Sequence, residues 1–260
     1  MHIIVCIKQV PDTMEVRFDP ETNTLIREGV PAIVNPFDEN AIEEALRIRE
    51  ARGGKVTVIT MGAPQAEDAL RSALAMGADE AILLTDRALA GSDTWATSYA
   101  LSLAVRKIGD FDLILCGKQA IDGDTAQVGP GLAEHLGVPQ VTYAIEVHVS
   151  DRKVRVKRLL EDRFEVVEAK LPALLTVVKQ INEPRTPKLK NVLAARRKEI
   201  TVWNHEDIGA DPDLCGLAGS PTTVVRTFAP SHEHEAEILE GDVDGVVGLL
   251  VQRFQELKIV

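Results

Sequence analysis

Aromatic residues are scarce, at 4% of 260 residues, so Val, Ile, Leu and Ala have to fill any core that forms. Cysteine is scarcer still. Cys6, Cys116 and Cys215 stand far apart, in no CxxC pair and no Cys/His cluster. That excludes a disulfide framework or a zinc knuckle and fits a chain kept in the reducing cytoplasm. The longest apolar stretch, near Leu171 to Val178, is far below the ~20 residues of a membrane helix, so this is not itself a membrane protein. The opening MHIIVCIKQVPD is too short in its apolar part to be a secretory signal. Positive charge is also in short supply. Lys and Arg number 29 against 40 Asp and Glu, a net charge of −11 that repels nucleic-acid backbones. A phosphate held by such a chain must be held locally, by backbone amides or a few placed cations. GxSxG, GxxxxGK[ST], HExxH and GxGxxG are all missing. Gly117-Lys118-Gln119 lacks the Ser/Thr that a P-loop uses for magnesium. Six histidines are scattered, and the one pair, His232 and His234, reads as a solvated loop rather than a metal site.

What is present is an ordinary globular composition, 45% apolar and 27% charged. Residues 2–7 (HIIVCI) form a continuous apolar run, as a buried parallel strand does. Similar runs follow at 55–61, 80–85 and 111–116. Helical spacing occupies 37–52, 65–76, 93–108 and 130–136, with Asn35 or Asp38 and then Ser92 or Asp93 as caps. This alternation predicts an α/β fold: a doubly wound, mostly parallel sheet with helices on both faces. Residues 13–34 read as a hairpin-like excursion. After 140 the pattern turns antiparallel (141–149, 153–160, 165–171) before an apolar strand at 174–178. From 182 the chain has too few apolar residues to pack alone, and a last helical segment spans 243–257. We therefore divide it into an α/β domain, 1–183, and an extended C-terminal arm, 184–260.

Ligands in doubly wound sheets sit at the carboxyl ends of strands. The most informative such place is the loop GKQAIDGDTAQVGPG at 117–131, which follows a strand and opens a helix. Small residues there let successive amides converge, and the helix N-terminus adds positive potential. Thr125 and Gln127 add side-chain hydrogen bonds. The same residues also make a well-capped loop, since Asp122, Asp124 and Thr125 are capping types, and spacing alone leaves both readings open. Cys6-Ile7-Lys8, Met61-Gly62 and Asn35-Pro36-Phe37-Asp38 lie at neighbouring strand ends and would share one crevice with the loop.

The segments Val5-Cys6-Ile7-Lys8-Gln9-Val10-Pro11-Asp12, Asn35-Pro36-Phe37-Asp38-Glu39, Ala73-Leu74-Ala75-Met76-Gly77-Ala78-Asp79 and Gly117-Lys118-Gln119-Ala120-Ile121-Asp122-Gly123-Asp124 resemble the β (small) subunit of electron transfer flavoprotein. Leu171-Pro172-Ala173 and Asn182-Glu183-Pro184-Arg185 continue the likeness over nearly the whole chain. The resemblance implies an obligate heterodimer with a larger α subunit that carries FAD, and an adenine nucleotide in domain 1–183. The cofactor-binding residues it implies are Cys6, Asn35, Pro36, Phe37, Asp38, Met61, Gly117, Lys118, Gln119, Ala120, Ile121, Asp122, Gly123, Asp124, Thr125, Ala126, Gln127 and Val128. It implies no catalytic side chain and no metal. The C-terminal segment would wrap the α subunit. The segment 184–198 would recognise a flavin dehydrogenase, with Leu189 as apolar anchor and Arg196, Arg197 and Lys198 as charged rim. The loop from Gly123 to Pro130 is small and open. In this it is similar to the group whose β subunit binds a second FAD and bifurcates electrons from NADH. There one electron goes to ferredoxin or flavodoxin and the other to an acyl-CoA or hydroxy-acid dehydrogenase, so the chain would be catalytic only within that complex. The alternative is a subunit holding structural AMP. A stand-alone nucleotide sensor is disfavoured by the missing Ser/Thr and the long arm.

Overall fold

The computed structural model describes residues 1–12, 31–225 and 238–259. The chain divides into two compact units, Met1–Val225 and Arg226–Val260. In the first unit β1 (His2–Cys6), β4 (Lys55–Met61), β5 (Glu80–Leu84), β6 (Leu113–Gly117) and β10 (Ala173–Val177) run parallel. Between β1 and β4, β2 (Gln9–Pro11) and β3 (Ala32–Val34) form a separate antiparallel pair. Of the expected 13–34 excursion only the end, with β3, falls among the described residues; 13–30 lie outside them. β7 (Gln140–Val149) joins β10 in parallel. β8 (Lys153–Leu159) and β9 (Phe164–Lys170) then extend the sheet antiparallel, and β11 (Thr201–Trp203) closes the other edge beside β5. The order is β11-β5-β4-β1-β6-β10-β7-β8-β9.

Strand side chains alternate between two cores, as the two-residue period requires. Ile3, Val5, Leu113, Leu115 and Leu175 pack under α1 (Pro36–Arg52) and α2 (Glu67–Met76). Ile4, Ile59, Ile114 and Leu174 pack under α3 (Thr94–Ile108) and α4 (Val128–Leu136). Because both faces are covered, the central strands are mainly apolar on both sides, with Thr57, Thr60 and Thr176 as buried exceptions. Asp93 caps α3 by accepting from the amides of Trp95 (2.9 Å) and Ala96 (3.0 Å). The expected boundary at 183/184 is not where the compact units divide. The segment to 225 has few apolar residues, but it places them well. Ala195 of α5 (Leu189–Ala195) is buried against α2, β11 adds to the sheet, and Ile208, Ala210 and Cys215 enter the second core.

Within the second unit, α6 (Val243–Glu256) is capped by Asp242, whose carboxylate accepts from the Gly245 amide at 2.8 Å. Val243, Val247, Leu250, Val251 and Phe254 recur on one side of α6 and are all exposed. His232 and His234 lie outside the described residues.

The chain leaving β10 is fastened to α1. Asn40 Nδ2 donates to the Asn182 carbonyl (2.9 Å), and Asn182 Nδ2 donates to Glu44 (3.1 Å). Arg185 donates through Nε (2.7 Å), Nη2 (3.1 Å) and its amide (3.1 Å) to the buried Glu43, and through Nη1 to Glu50. Burial opposes the Glu43 charge, but the Arg185 fork outweighs it and holds the carboxyl below its ordinary pKa. Arg185→Ala leaves Glu43 buried with Arg47 alone, and its expected cost is about 1–3 kcal/mol in urea unfolding at an unchanged m-value. A cost below about 0.5 kcal/mol, the range of ordinary surface changes, would contradict this role.

Candidate functional site

The carboxyl ends of β1, β4 and β6 open onto a cavity of about 670 Å³. β1 brings Cys6, Ile7 and Lys8 to it, β4 brings Met61, and β6 brings Cys116 and Gly117. The start of α1 adds Asn35 and Asp38. The loop after β6 adds Lys118, Gln119, Ala120 and the run from Gly123 to Gly129. Fourteen of the eighteen residues implied as cofactor-binding therefore meet in one place.

Asn35 and Asp38 build the floor, although neither side chain caps α1 as the sequence predicts. Asn35 Nδ2 donates to the Gln119 carbonyl (2.8 Å), and its Oδ1 accepts from the Ile121 amide (3.1 Å). Asp38 accepts from the Lys8 amide (2.8 Å) and the Gly117 amide (3.0 Å). One turn of helix thus pins the ends of β1 and β6 together. Gly117 has no room for a side chain: a β-carbon there would stand 2.3 Å from Asp38 Oδ1 and 2.7 Å from Phe37 Cβ.

The loop itself is not built by helix capping. α4 starts after Gln127 with no side-chain cap, and Asp122, Asp124 and Thr125 are used elsewhere or not at all. The Asp124 amide donates to the Ala120 carbonyl (2.9 Å), which removes it from the donors expected to face a ligand. Among the described residues, the amides of Thr125, Ala126, Gln127, Val128 and Gly129 meet no protein acceptor. Ala126 has φ +54°, and Gln127 is right-handed. This pairing of opposite hands turns successive N–H groups toward one point and makes an anion-binding nest. Helix α4 begins at Val128, two residues earlier than the sequence predicts, so its uncapped N-terminus coincides with these amides. Gly123 stands in open space, as the small, open loop of the sequence reading requires. A β-carbon there meets nothing within 4 Å, so modest bulk at 123 does not crowd the protein.

Four implied residues do not line the cavity. Pro36 is the first residue of α1. Phe37 packs behind Gly117, its ring 5.3 Å from Lys179 Nζ and 6.0 Å from Lys118 Nζ. Ile121 acts through its amide to Asn35. Asp122 turns outward to Lys8, 2.7 Å away. Sequence reasoning missed a whole wall made by Ser92, Asp93, Thr94 and Thr97, and by Thr222 and Val224. Asp93 was legible only as a cap. Its second oxygen accepts from the Thr222 amide (3.0 Å) and hydroxyl (2.8 Å), a contact across more than a hundred residues with no local signal. The Thr94 hydroxyl donates to Gln127 Oε1 at 3.1 Å and ties this wall to the loop. Cys6 and Cys116 stand side by side in register. The hydrogen bond to Cys6 and burial hold the Cys116 thiol well above its ordinary pKa, so it stays protonated.

The residues implied for partner recognition are elsewhere. Leu189 is 75% exposed, and Leu193, one turn on, is 52% exposed. Arg196 and Arg197 are exposed. Lys198 is engaged with its own chain: Nζ donates to the Ala78 carbonyl (2.9 Å), and Arg71 donates to the Lys198 carbonyl.

Burial pushes the Asp38 carboxyl up to about 7, against the opposing pull of the Lys8 amide, Asn35 and the Gly117 amide. A carboxyl raised in the folded state binds a proton that the unfolded chain has already lost. Its contribution therefore favours folding at acid pH and is lost as pH rises from about 4 through 7, at up to about 1.4 kcal/mol per pH unit. Urea unfolding of wild type and Asp38→Asn between pH 5 and 8 is the check. The wild type should lose more stability than the variant across this window, and parallel curves would refute the assignment.

A family model for the electron transfer flavoprotein domain matches residues 22–208. An electron transfer flavoprotein subunit beta from Thermoanaerobacterium thermosaccharolyticum is 55% identical over 261 residues, covering 100% of both chains. The caffeyl-CoA reductase-Etf complex subunit CarD of Acetobacterium woodii is 52% identical over 262 residues, again covering 100% of each. Protein FixA of Azorhizobium caulinodans is 52% identical over 243 residues, 90% of this chain and 86% of that one.

Proposed function

The chain belongs to the electron transfer flavoprotein family as a beta subunit, and on that premise we propose that its cavity holds FAD and that the subunit takes part in electron bifurcation from NADH. A beta subunit of this family pairs with an alpha subunit. The exposed apolar side of α6 is the kind of surface such a partner covers. The observation that carries the cofactor reading is the row of unpartnered amides from Thr125 to Gly129 at an uncapped helix N-terminus inside a 670 Å³ cavity. Aligned amides and a helix end bind phosphate without a general positive field, which a chain of charge −11 does not have.

In this reading the amides from Thr125 to Gly129 would hold the two phosphates of FAD. Asn35 and Asp38 fix the loop by holding Gly117, Gln119 and Ile121, while Gly117 lets the backbone approach closely. Cys6 and Met61 give the cavity soft, apolar walls. When bound, FAD supplies hydride acceptance and one-electron transfer, and the protein supplies position and electrostatics. With FAD bound, the subunit would pass electrons to a low-potential carrier such as ferredoxin or flavodoxin and to a dehydrogenase that Leu189 would help to dock. The naming of one relative as part of a CoA-thioester reductase complex supports an acyl-CoA type of dehydrogenase.

Ala126→Glu adds bulk and negative charge among the free amides. The expected outcome is a fall from two flavins to one per heterodimer, with the alpha-subunit flavin retained. One flavin before and after, with AMP released from the wild type, would make this subunit a structural partner instead. For the docking segment, Leu189→Ala should slow electron delivery to the dehydrogenase with flavin content unchanged. Truncating a central apolar anchor costs about 2 kcal/mol, roughly thirtyfold in affinity. Unchanged turnover at limiting dehydrogenase would remove Leu189 from the interface.

A further inference from the structure

Two lysines line the cavity, Lys8 and Lys118, beside the carboxylates of Asp38, Asp93 and Asp124. The Lys118 ammonium stands 5.3 Å from the Tyr143 ring centroid and 6.0 Å from that of Phe37, so it is occupied by aromatic faces. Lys8 has a fixed root. Its amide donates to Asp38 (2.8 Å), and its carbonyl accepts from the Asn35 amide (2.9 Å). Its ammonium lies 2.7 Å from both Asp122 oxygens. That pair is exposed, with side-chain accessibilities of 49% and 33%. An exposed pair of this kind contributes little and exchanges readily.

We propose that Lys8 is a phosphate-binding side chain of this cavity, held in reserve by Asp122 and released to the ligand when a nucleotide enters. The proposal rests on the nucleotide reading above and adds to it the residue that recognises the phosphate charge. Asp122 lies outside the cavity lining and Lys8 inside it, so the swing of one side chain changes an ion pair at the rim into a contact within. A phosphate brings more charge and more acceptor oxygens than a carboxylate, and a charge-assisted contact with an ammonium favours it in that exchange. The amides from Thr125 to Gly129 have fixed directions, whereas the four-carbon stem of Lys8 adapts to a monophosphate or a diphosphate.

The two members of the pair then have opposite roles, and substitution separates them. Equilibrium binding of AMP, ADP and adenosine is measured on the nucleotide-stripped heterodimer for wild type, Lys8→Gln and Asp122→Asn. Lys8→Gln should weaken AMP and ADP by about tenfold or more while leaving adenosine within about twofold. Asp122→Asn removes the competitor, and AMP should bind as in the wild type or up to about fivefold tighter. If both substitutions weaken AMP alike, or if Lys8→Gln weakens adenosine as much as AMP, the pair is a structural clasp and the proposal falls. It also falls if wild type binds AMP and Lys8→Gln binds it equally well. A wild type that binds none of the three overturns the nucleotide reading itself, and this inference with it.

Discussion

Much of the site depends on one helical turn. Asn35 and Asp38 are polar, buried and fully engaged with backbone from two other segments. β1 and β6 pair directly in parallel as far as Cys6 and Cys116, and past that point the two chains continue into different segments that backbone pairing between them no longer joins. Asp38 supplies a link between β1 and β6 with two oxygens and two amides. The link is made at a cost, since burial disfavours the charged carboxylate. The requirement for glycine at 117 follows directly, because the same carboxylate occupies the space a β-carbon would need.

The same helix reaches in a second direction. Asn40, Glu43, Glu44 and Glu50, the next residues along α1, hold Asn182 and Arg185. Four residues beyond Arg185 the chain enters α5 with its exposed Leu189 and Leu193. A single rigid helix therefore grips the cavity floor at one end and the root of the proposed docking segment along its length. Many independent hydrogen bonds from one helix fix the separation of the two places.

The alternation of apolar runs with helical spacing made the parallel sheet legible, and each main strand and helix through residue 177 lies within two residues of its predicted bounds. The fate of 184–225 was not legible. Its contributions are single buried residues such as Ala195 and Cys215 and a three-residue edge strand, all below the length at which periodicity speaks. The site was legible where it is contiguous, as at 117–128, and at strand ends. It was illegible where it depends on contacts distant in sequence, as when Thr222 closes onto Asp93. Asp93 also shows that a residue can satisfy a local rule, capping α3, while its second oxygen does work that the rule does not foresee.

The two helix N-termini at the cavity make the last distinction. α3 is capped by Asp93, whose carboxylate neutralises that end, and burial of this charge is outweighed by the hydrogen bonds from Ala96, Thr222 and Trp95 that keep it ionised. α4 is uncapped, and the residues before it are turned so that their amides remain free. An anion entering the cavity is therefore repelled by one helix end and attracted by the other, although both come from the same fold geometry. The acidic balance of the chain sharpens this contrast, since there is no surrounding positive field to blur it. The cavity is thus electrostatically asymmetric: the α4 end offers free amides to negative charge, and the opposite wall offers the neutral side chains of Ser92, Thr94 and Thr97 beside the Asp93 carboxylate.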